Sequence, residues 1–408
     1  MPYSRIARTI SESCTLKLNA RVAELRRQKV PIIHLGSGEP KGKAPQQAID
    51  ESQELFFSRE IRYTPASGTV ELKDAIIEYT REHYQQEIER KNVIACAGAK
   101  QALMTALEAL VNPEDEVAFP APYWVSYPEM AKLCGATPVP IHAADGSFFP
   151  SLKDVEECLS PRCKVLVINN PNNPCGAVYD ESFIAGVVRL CEARGIVLIM
   201  DDIYHRLVFD HREPLSIYRH AHDLKHLVVV NAVSKTYAMT GFRTGWAVAD
   251  PELIEVMARI QGHQTSGPSH LLQKAAMGAI HGDQSCVEDL RCKLEKNRDV
   301  MLRELQAIEG IKPTAPGGTF YCFVDFSRYH PNSTAFSEFL LNKALVVTVP
   351  GVEFGMEGYL RLSTCGDEAD LIEGLRRLRW ALDPHGPTTL DLVDRQLVRD
   401  WEQPTDVY

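Results

Sequence analysis

From Asn92 to Ala249 the sequence returns again and again to one pattern: a short apolar run, a turn, then a helix-forming segment. The runs are Asn92 to Ala97, Glu116 to Phe119, Thr137 to Ile141, Lys164 to Asn169, Ile196 to Asp201, Leu227 to Val233 and Gly245 to Ala249. Helical segments fall between them, most clearly at Gln101 to Leu110 and Asp180 to Arg194. Strands that are apolar on both faces and separated by helices imply a mainly parallel sheet in a three-layer α/β domain. Ligands of such sheets bind beyond the carboxyl ends of the strands. Gly98, Trp124, Asn173, Asp201 and Lys235 all fall at or just past those ends.

At 408 residues the chain exceeds one simple core. A long charged helix around Ser285 to Leu305 leads out of the repeating region. Beyond it, strands at Gly318 to Val324, near Val346 and at Tyr359 to Ser363 mix with helices at Phe336 to Leu341 and Asp367 to Leu382. That mixture predicts a smaller α+β domain, joined by an N-terminal arm. The division is an arm at 1–42, a large domain at 43–290, a small domain at 291–383 and a tail at 384–408. In the tail Leu390, Val393, Leu397 and Trp401 recur at near-helical spacing, which predicts an amphipathic helix.

Several partners are argued against by composition. The net charge is −10 and no basic block stands out, so nucleic acid is not expected. The apolar runs fall far short of the ~20 residues that cross a bilayer. Met1-Pro2-Tyr3-Ser4-Arg5 leads into no apolar signal region. Eleven cysteines without a C-x-x-C pair read as small buried hydrophobes in a reducing cytoplasm, with neither disulfides nor a metal expected.

The chemistry concentrates in a few short stretches. Ser234-Lys235-Thr236-Tyr237-Ala238-Met239-Thr240-Gly241-Phe242-Arg243-Thr244-Gly245 follows a buried strand. A lysine desolvated there can attack a carbonyl carbon and form a Schiff base, and Arg243 offers a fork of donors suited to a phosphate. Gly98-Ala99-Lys100 opens a helix whose first N–H groups form an anion site. Asn170-Pro171-Asn172-Asn173-Pro174-Cys175-Gly176 and Asp201-Asp202-Ile203-Tyr204 end two further strands, and Arg361 lies within Tyr359 to Ser363. Each also has a plainer reading, as a turn, a helix cap or a structural ion pair.

Together and in this order, these motifs resemble the class I aminotransferases of the pyridoxal-phosphate-dependent fold type I family, particularly the bacterial aspartate aminotransferase branch. The resemblance runs from about Thr15 to the helix at Asp367. It implies pyridoxal 5′-phosphate as cofactor, held by Lys235 as a Schiff base. Lys235, once displaced by substrate, then moves the proton between Cα and the cofactor's C4′. Asp201 matches the carboxylate that keeps the pyridine nitrogen protonated, and Tyr204 and Asn173 match donors to the ring oxygen. Gly98, Ala99, Lys100 and Arg243 match the phosphate site, and Trp124 the aromatic that stacks on the ring. Tyr63 matches a tyrosine reaching the phosphate of the neighbouring subunit, which implies a homodimer with shared active sites. Arg361 matches the arginine that binds the substrate α-carboxylate bidentately, with a backbone N–H of Gly38 nearby.

Two positions depart from the family pattern. Ala232 stands where a serine or glycine is common, and with it one phosphate hydrogen bond is expected to be missing. Thr244 replaces a small aliphatic residue. Thr15 and Lys100 match positions that hold a distal carboxylate in one bacterial subgroup, so the implied reaction is ping-pong amino transfer from aspartate or glutamate to 2-oxo acids, prephenate included. The alternatives are a neutral or aromatic substrate, a pyridoxal-phosphate C–S β-lyase using the same Lys235 and Asp201, and a ligand-sensing regulator. The last would need a DNA-binding module, for which residues 1–40 are too short.

Overall fold

The computed structural model describes residues 3–12 and 14–406. After a short first strand, β1 (Ile33–His34), seven strands form the central sheet. They are β2 (Val93–Cys96), β3 (Glu116–Pro120), β4 (Thr137–Ile141), β5 (Cys163–Asn169), β6 (Val197–Asp201), β7 (Leu227–Ala232) and β8 (Gly245–Val248). Their order is β2-β8-β7-β6-β5-β3-β4. Only β8 runs antiparallel to its neighbours, so the sheet is mainly parallel, as the alternation of strands and helices predicts.

The period of two along each strand divides its side chains between two apolar layers. Leu166, Ile168, Leu198, Met200, Leu227 and Val229 face a layer built with helices Val70–Tyr84, Glu181–Arg194 and His270–His281. Val165, Val167, Ile199, Val228 and Val230 face the opposite layer, built with Ala99–Leu110, Ser126–Leu133 and Pro251–Gln264. Burial on both faces explains why these strands read as unbroken apolar runs.

A separate cluster surrounds β9 (Tyr321–Asp325), which pairs antiparallel with β12 (Tyr359–Ser363); between them in sequence lie β10 (Val346–Val347) and β11 (Val349–Pro350). Helices Ser285–Gln306 and Glu368–Leu382 supply Met301, Leu305, Leu375 and Leu378 to this cluster. The parallel pairing of β1 with β10 ties the N-terminal segment to it. Among the described residues no helix is long and apolar enough to cross a membrane.

The tail is not the expected amphipathic helix. It forms an antiparallel hairpin of β13 (Thr389–Asp391) and β14 (Gln396–Val398). Leu390 lies opposite Leu397 in the register, so a spacing that suits two helical turns here spans a turn instead. Val393, which a helix would have placed with those leucines, is 108% exposed at the tip. Trp401 is buried edge-on against Trp380 and Phe339, and its Nε1 donates to the Ala381 carbonyl at 3.2 Å. Arg399 anchors the hairpin by donating to the carbonyls of Asp383, Pro384 and Gly386.

The tail therefore completes the smaller core. Trp401→Ala should cost about 3 to 5 kcal/mol, the range for emptying a large aromatic site. A denaturant titration reads this as a lower unfolding midpoint; an unchanged midpoint would show that the tail lies idle on the surface.

Candidate active site

Three strand ends build the floor of the site. Asn169 ends β5, Asp201 ends β6, and the two are register partners. β7 ends at Ala232 and passes into a single helical turn, Val233–Thr236, that presents Lys235. A cavity of about 250 Å³ opens above them, bordered by Lys235, Asp201, Tyr204, Asn173 and Arg361 and, at the other end, by Ala99, Lys100, Trp124 and Arg243. Gly38 also lines it. Residues distant in sequence and chosen for their chemistry thus share one enclosure.

Lys235 donates from Nζ to the Gly38 carbonyl at 2.6 Å. Burial lowers its pKa to about 8, against a smaller opposing pull from Glu39. The amine is therefore easier to deprotonate than an ordinary lysine. Asp201 is 3% exposed and accepts from the Tyr127 hydroxyl at 2.6 Å and from the Ile203 N–H at 3.4 Å. Burial raises its pKa to about 6, while the Tyr127 hydrogen bond works in the other direction.

Asn173 is aimed by its neighbours. Its N–H donates to Asn169 Oδ1 at 2.7 Å, and Asn169 Nδ2 donates to the Asp201 carbonyl at 2.8 Å. Asn173 Oδ1 accepts from Arg361 Nη1 at 3.1 Å. That contact uses the acceptor end of the amide and leaves its NH₂ group as the end with donors to offer. Arg361 is 2% exposed; its Nη2 donates to the Gly36 carbonyl at 3.1 Å, and its Nε has no partner among the described residues. An unpaired buried guanidinium N–H marks a place for an acceptor. At Gly38 the carbonyl is engaged by Lys235.

The other end of the cavity suits an anion. Gly98 has φ +86° and precedes helix Ala99–Leu110 without bringing a side-chain cap to its first N–H groups. A Cβ at Gly98 would lie 2.5 Å from Arg243 Nη2, and one at Gly245 would lie 2.6 Å from the Ala99 nitrogen. Gly245 is thus required by close approach to backbone, and Gly98 by its positive φ. Arg243 is held by its Nη1 donating to the Thr240 carbonyl at 2.9 Å. Lys100 Nζ stands 4.9 Å above the Trp124 ring, and its pKa is lowered by burial and then by Arg243. A helix N-terminus with a nearby guanidinium, opposite a buried carboxylate and an amine, fits the phosphate, pyridine nitrogen and aldehyde of pyridoxal phosphate.

Three sequence expectations need comment. Ala232 is buried in the apolar layer under the sheet and has no hydroxyl to offer a phosphate, whereas Ser234, two residues on, lines the cavity. Tyr63 is 94% exposed and is not part of this cavity. The Thr15 side chain lies outside the described residues. Tyr127, Asn169 and Tyr321 were not singled out from sequence, although all three shape the site. Tyr127 and Tyr321 sit where a helix and a strand need apolar bulk, which hides a polar role; Asn169, a polar residue closing an apolar run, was the one available signal.

Comparison with known proteins agrees with this geometry. The family model described as aminotransferase class I and II matches residues 30–378. The chain is 36% identical over 382 residues to a probable aspartate/prephenate aminotransferase of Aquifex aeolicus, covering 92% of this chain and 97% of that protein. It is 34% identical over 383 residues to the aspartate/prephenate aminotransferase of Thermus thermophilus, covering 93% and 98%. Among solved structures, it is similar to Thermus thermophilus aspartate aminotransferase with maleate, at TM-score 0.89, 34% identity and coverage of 93% and 99%. The Rhizobium meliloti aspartate aminotransferase gives TM-score 0.87 at 33% identity, covering 93% and 98%.

The lowered pKa of Lys235 has a direct consequence. Only the neutral amine attacks an aldehyde, and its share rises with pH up to and past the pKa. Covalent capture of added pyridoxal phosphate by cofactor-stripped protein should therefore accelerate with pH and level off above about 8. Stopped-flow absorbance measures it; a rate still climbing toward the pKa of a free lysine, about 10.4, would contradict the burial argument.

Proposed function

Because the chain belongs to the class I and II aminotransferases, we propose that it moves an amino group between L-aspartate or L-glutamate and 2-oxo acids by a ping-pong mechanism, with prephenate as a further acceptor. It is a transaminase, and its cofactor is pyridoxal 5′-phosphate. The observation that carries the amino-transfer reading is one cavity holding Lys235 and Asp201 beside Arg361, a buried cation with an unpaired Nε.

When bound, the cofactor supplies an electron sink that stabilises negative charge at the substrate Cα. The remaining work falls to side chains of this protein. Asp201 would face the ring nitrogen and favour its protonated form, and Tyr127 keeps that carboxylate oriented through a 2.6 Å hydrogen bond. Lys235 would act as the acid–base group at the substrate Cα, a task suited to an amine whose pKa burial lowers to about 8. Arg361 clamps the α-carboxylate and so orients Cα toward Lys235. Tyr204 and Asn173 would serve the ring oxygen, the Ala99 and Lys100 N–H groups with Ser234 and Arg243 would hold the phosphate, and Trp124 would stack on the ring.

The acidic substrate is supported by the names of the relatives, aspartate and aspartate/prephenate aminotransferases, and by Lys100 at the cavity wall. A homodimer is supported by exposed apolar residues around Tyr63: Phe56 at 58%, Phe57 at 69% and Ile61 at 44%. Tyr63 itself would then serve the partner's site. A cytoplasmic location is supported by free cysteines throughout the described chain. The division into 1–42, 43–290, 291–383 and 384–408 accompanies this reading; separate apolar clusters support the large and small domains, and Leu35 of the arm and Leu390 and Trp401 of the tail join the smaller one.

A half-reaction panel tests the proposal by following loss of the cofactor absorption band with each amino acid. Aspartate and glutamate should react best and yield their 2-oxo acids; release of ammonia and pyruvate from cysteine-type substrates would indicate a lyase instead. Lys100→Ala should raise KM for the dicarboxylic amino acids about tenfold or more beyond any effect on alanine or phenylalanine. Equal effects on both groups would sink the acidic-substrate assignment. Lys235→Ala should abolish turnover, and retained turnover would remove its assigned role.

A further inference from the structure

We propose that Tyr321 and Phe354 are positioning residues for substrate binding, holding the Arg361 guanidinium in the plane in which it meets the α-carboxylate. The inference rests on the reading of Arg361 as the carboxylate site.

Arg361 forms no ion pair with a carboxylate among the described residues. Its two polar contacts, to Asn173 Oδ1 and the Gly36 carbonyl, are both neutral. A charge buried in this way needs other compensation. Two aromatic rings supply it: Arg361 Cζ lies 4.3 Å from the Tyr321 ring centroid and 4.9 Å from that of Phe354. Ring faces attract a cation without using any of its N–H donors. Stacking therefore fixes the guanidinium while leaving its donor fork for a planar, bidentate partner.

Both rings are themselves held. Tyr321 lies in β9, with its N–H donating to Thr319 Oγ1 at 3.2 Å, and Thr319 N–H donates to the Leu207 carbonyl at 2.8 Å. Its hydroxyl is 3.5 Å from that of Tyr204, too long for a strong hydrogen bond, so the ring rather than the hydroxyl carries the argument. Phe354 is fully buried, packs on Phe323 at 5.7 Å between centroids, and its carbonyl accepts from the Tyr123 N–H at 3.2 Å. Tyr321 belongs to the apolar layer under the central sheet and Phe354 to a separate cluster with Phe323, so the arginine is gripped from two cores. The side chain of the substrate plays no part in this grip. Its effect must accordingly be common to every amino acid that the enzyme accepts.

The test uses the holoenzyme with Tyr321→Leu, Tyr321→Phe, Phe354→Leu and Arg361→Lys. Tyr321→Leu should raise KM for aspartate and for alanine alike by about tenfold, and weaken maleate binding by the same factor, while kcat changes less than about threefold. Tyr321→Phe keeps the ring and should return both quantities to within about twofold of the parent. Phe354→Leu should act in the same direction, and it serves as the second probe should Tyr321→Leu fail to fold. Cofactor retention should be unchanged in all three. An unaltered KM in Tyr321→Leu or Phe354→Leu, or a Tyr321→Phe variant as impaired as Tyr321→Leu, overturns the inference. Arg361→Lys separates the two levels of the argument. A raised KM there together with normal aromatic variants refutes only the positioning role, whereas a normal KM there refutes the carboxylate site itself.

Discussion

One buried amide connects the walls of the site. Asn169 ends β5 beside Asp201 and spends both ends of its side chain on backbone: Nδ2 donates to the Asp201 carbonyl, and Oδ1 accepts from the Asn173 N–H. Buried strand ends must have their polar groups paired, and here that requirement fixes the start of the Asn173 turn relative to β6. Asn173 then reaches Arg361. A local demand of backbone chemistry thereby sets the separation between the carboxylate at the floor and the cation at the wall.

Burial acts on the two principal ionisable groups in opposite directions. It lowers Lys235 to about 8 and raises Asp201 to about 6, because each loses the hydration that favours its charged form. For Lys235 this eases loss of the proton; for Asp201, whose assigned role is to stay charged, the Tyr127 hydrogen bond offsets part of the effect. Had the two formed a close ion pair, each would have been held in its charged state and the lysine would be a poor nucleophile. Instead Lys235 donates to the Gly38 carbonyl, a neutral partner.

Much of this was legible in the sequence because strands buried on both faces cannot avoid apolar runs, and because loops that follow them carry the chemistry. The strand ends at Asp201 and Ala232 and the helix starting at Ala99 are where the alternating pattern puts them, within a residue or two. What could not be read was anything set by contact between distant segments. Tyr127 satisfies helix packing and Asp201 at once, and only its hydroxyl position, 2.6 Å from Oδ2, tells the second role. Ala232 stands where the resemblance expects a serine or glycine; its methyl packs into the apolar layer, while Ser234 lines the cavity. The tail misled for a related reason: Leu390 and Leu397 stand seven positions apart, and a hairpin brings that pair together as well as a helix does.

The turn at Gly36 to Glu39 shows how the parts act together. Its carbonyls at Gly36 and Gly38 accept from Arg361 and Lys235, and the Glu39 carboxylate accepts from the Thr240 hydroxyl at 2.5 Å. The preceding carbonyl, at Leu35, accepts from the Ser363 N–H at 2.6 Å. One short segment thus touches the lysine, the arginine, the loop that carries Arg243 and the strand that carries Arg361. A carbonyl is a weaker acceptor than a carboxylate, so a substrate acid competes favourably for Arg361 without breaking any charged pair.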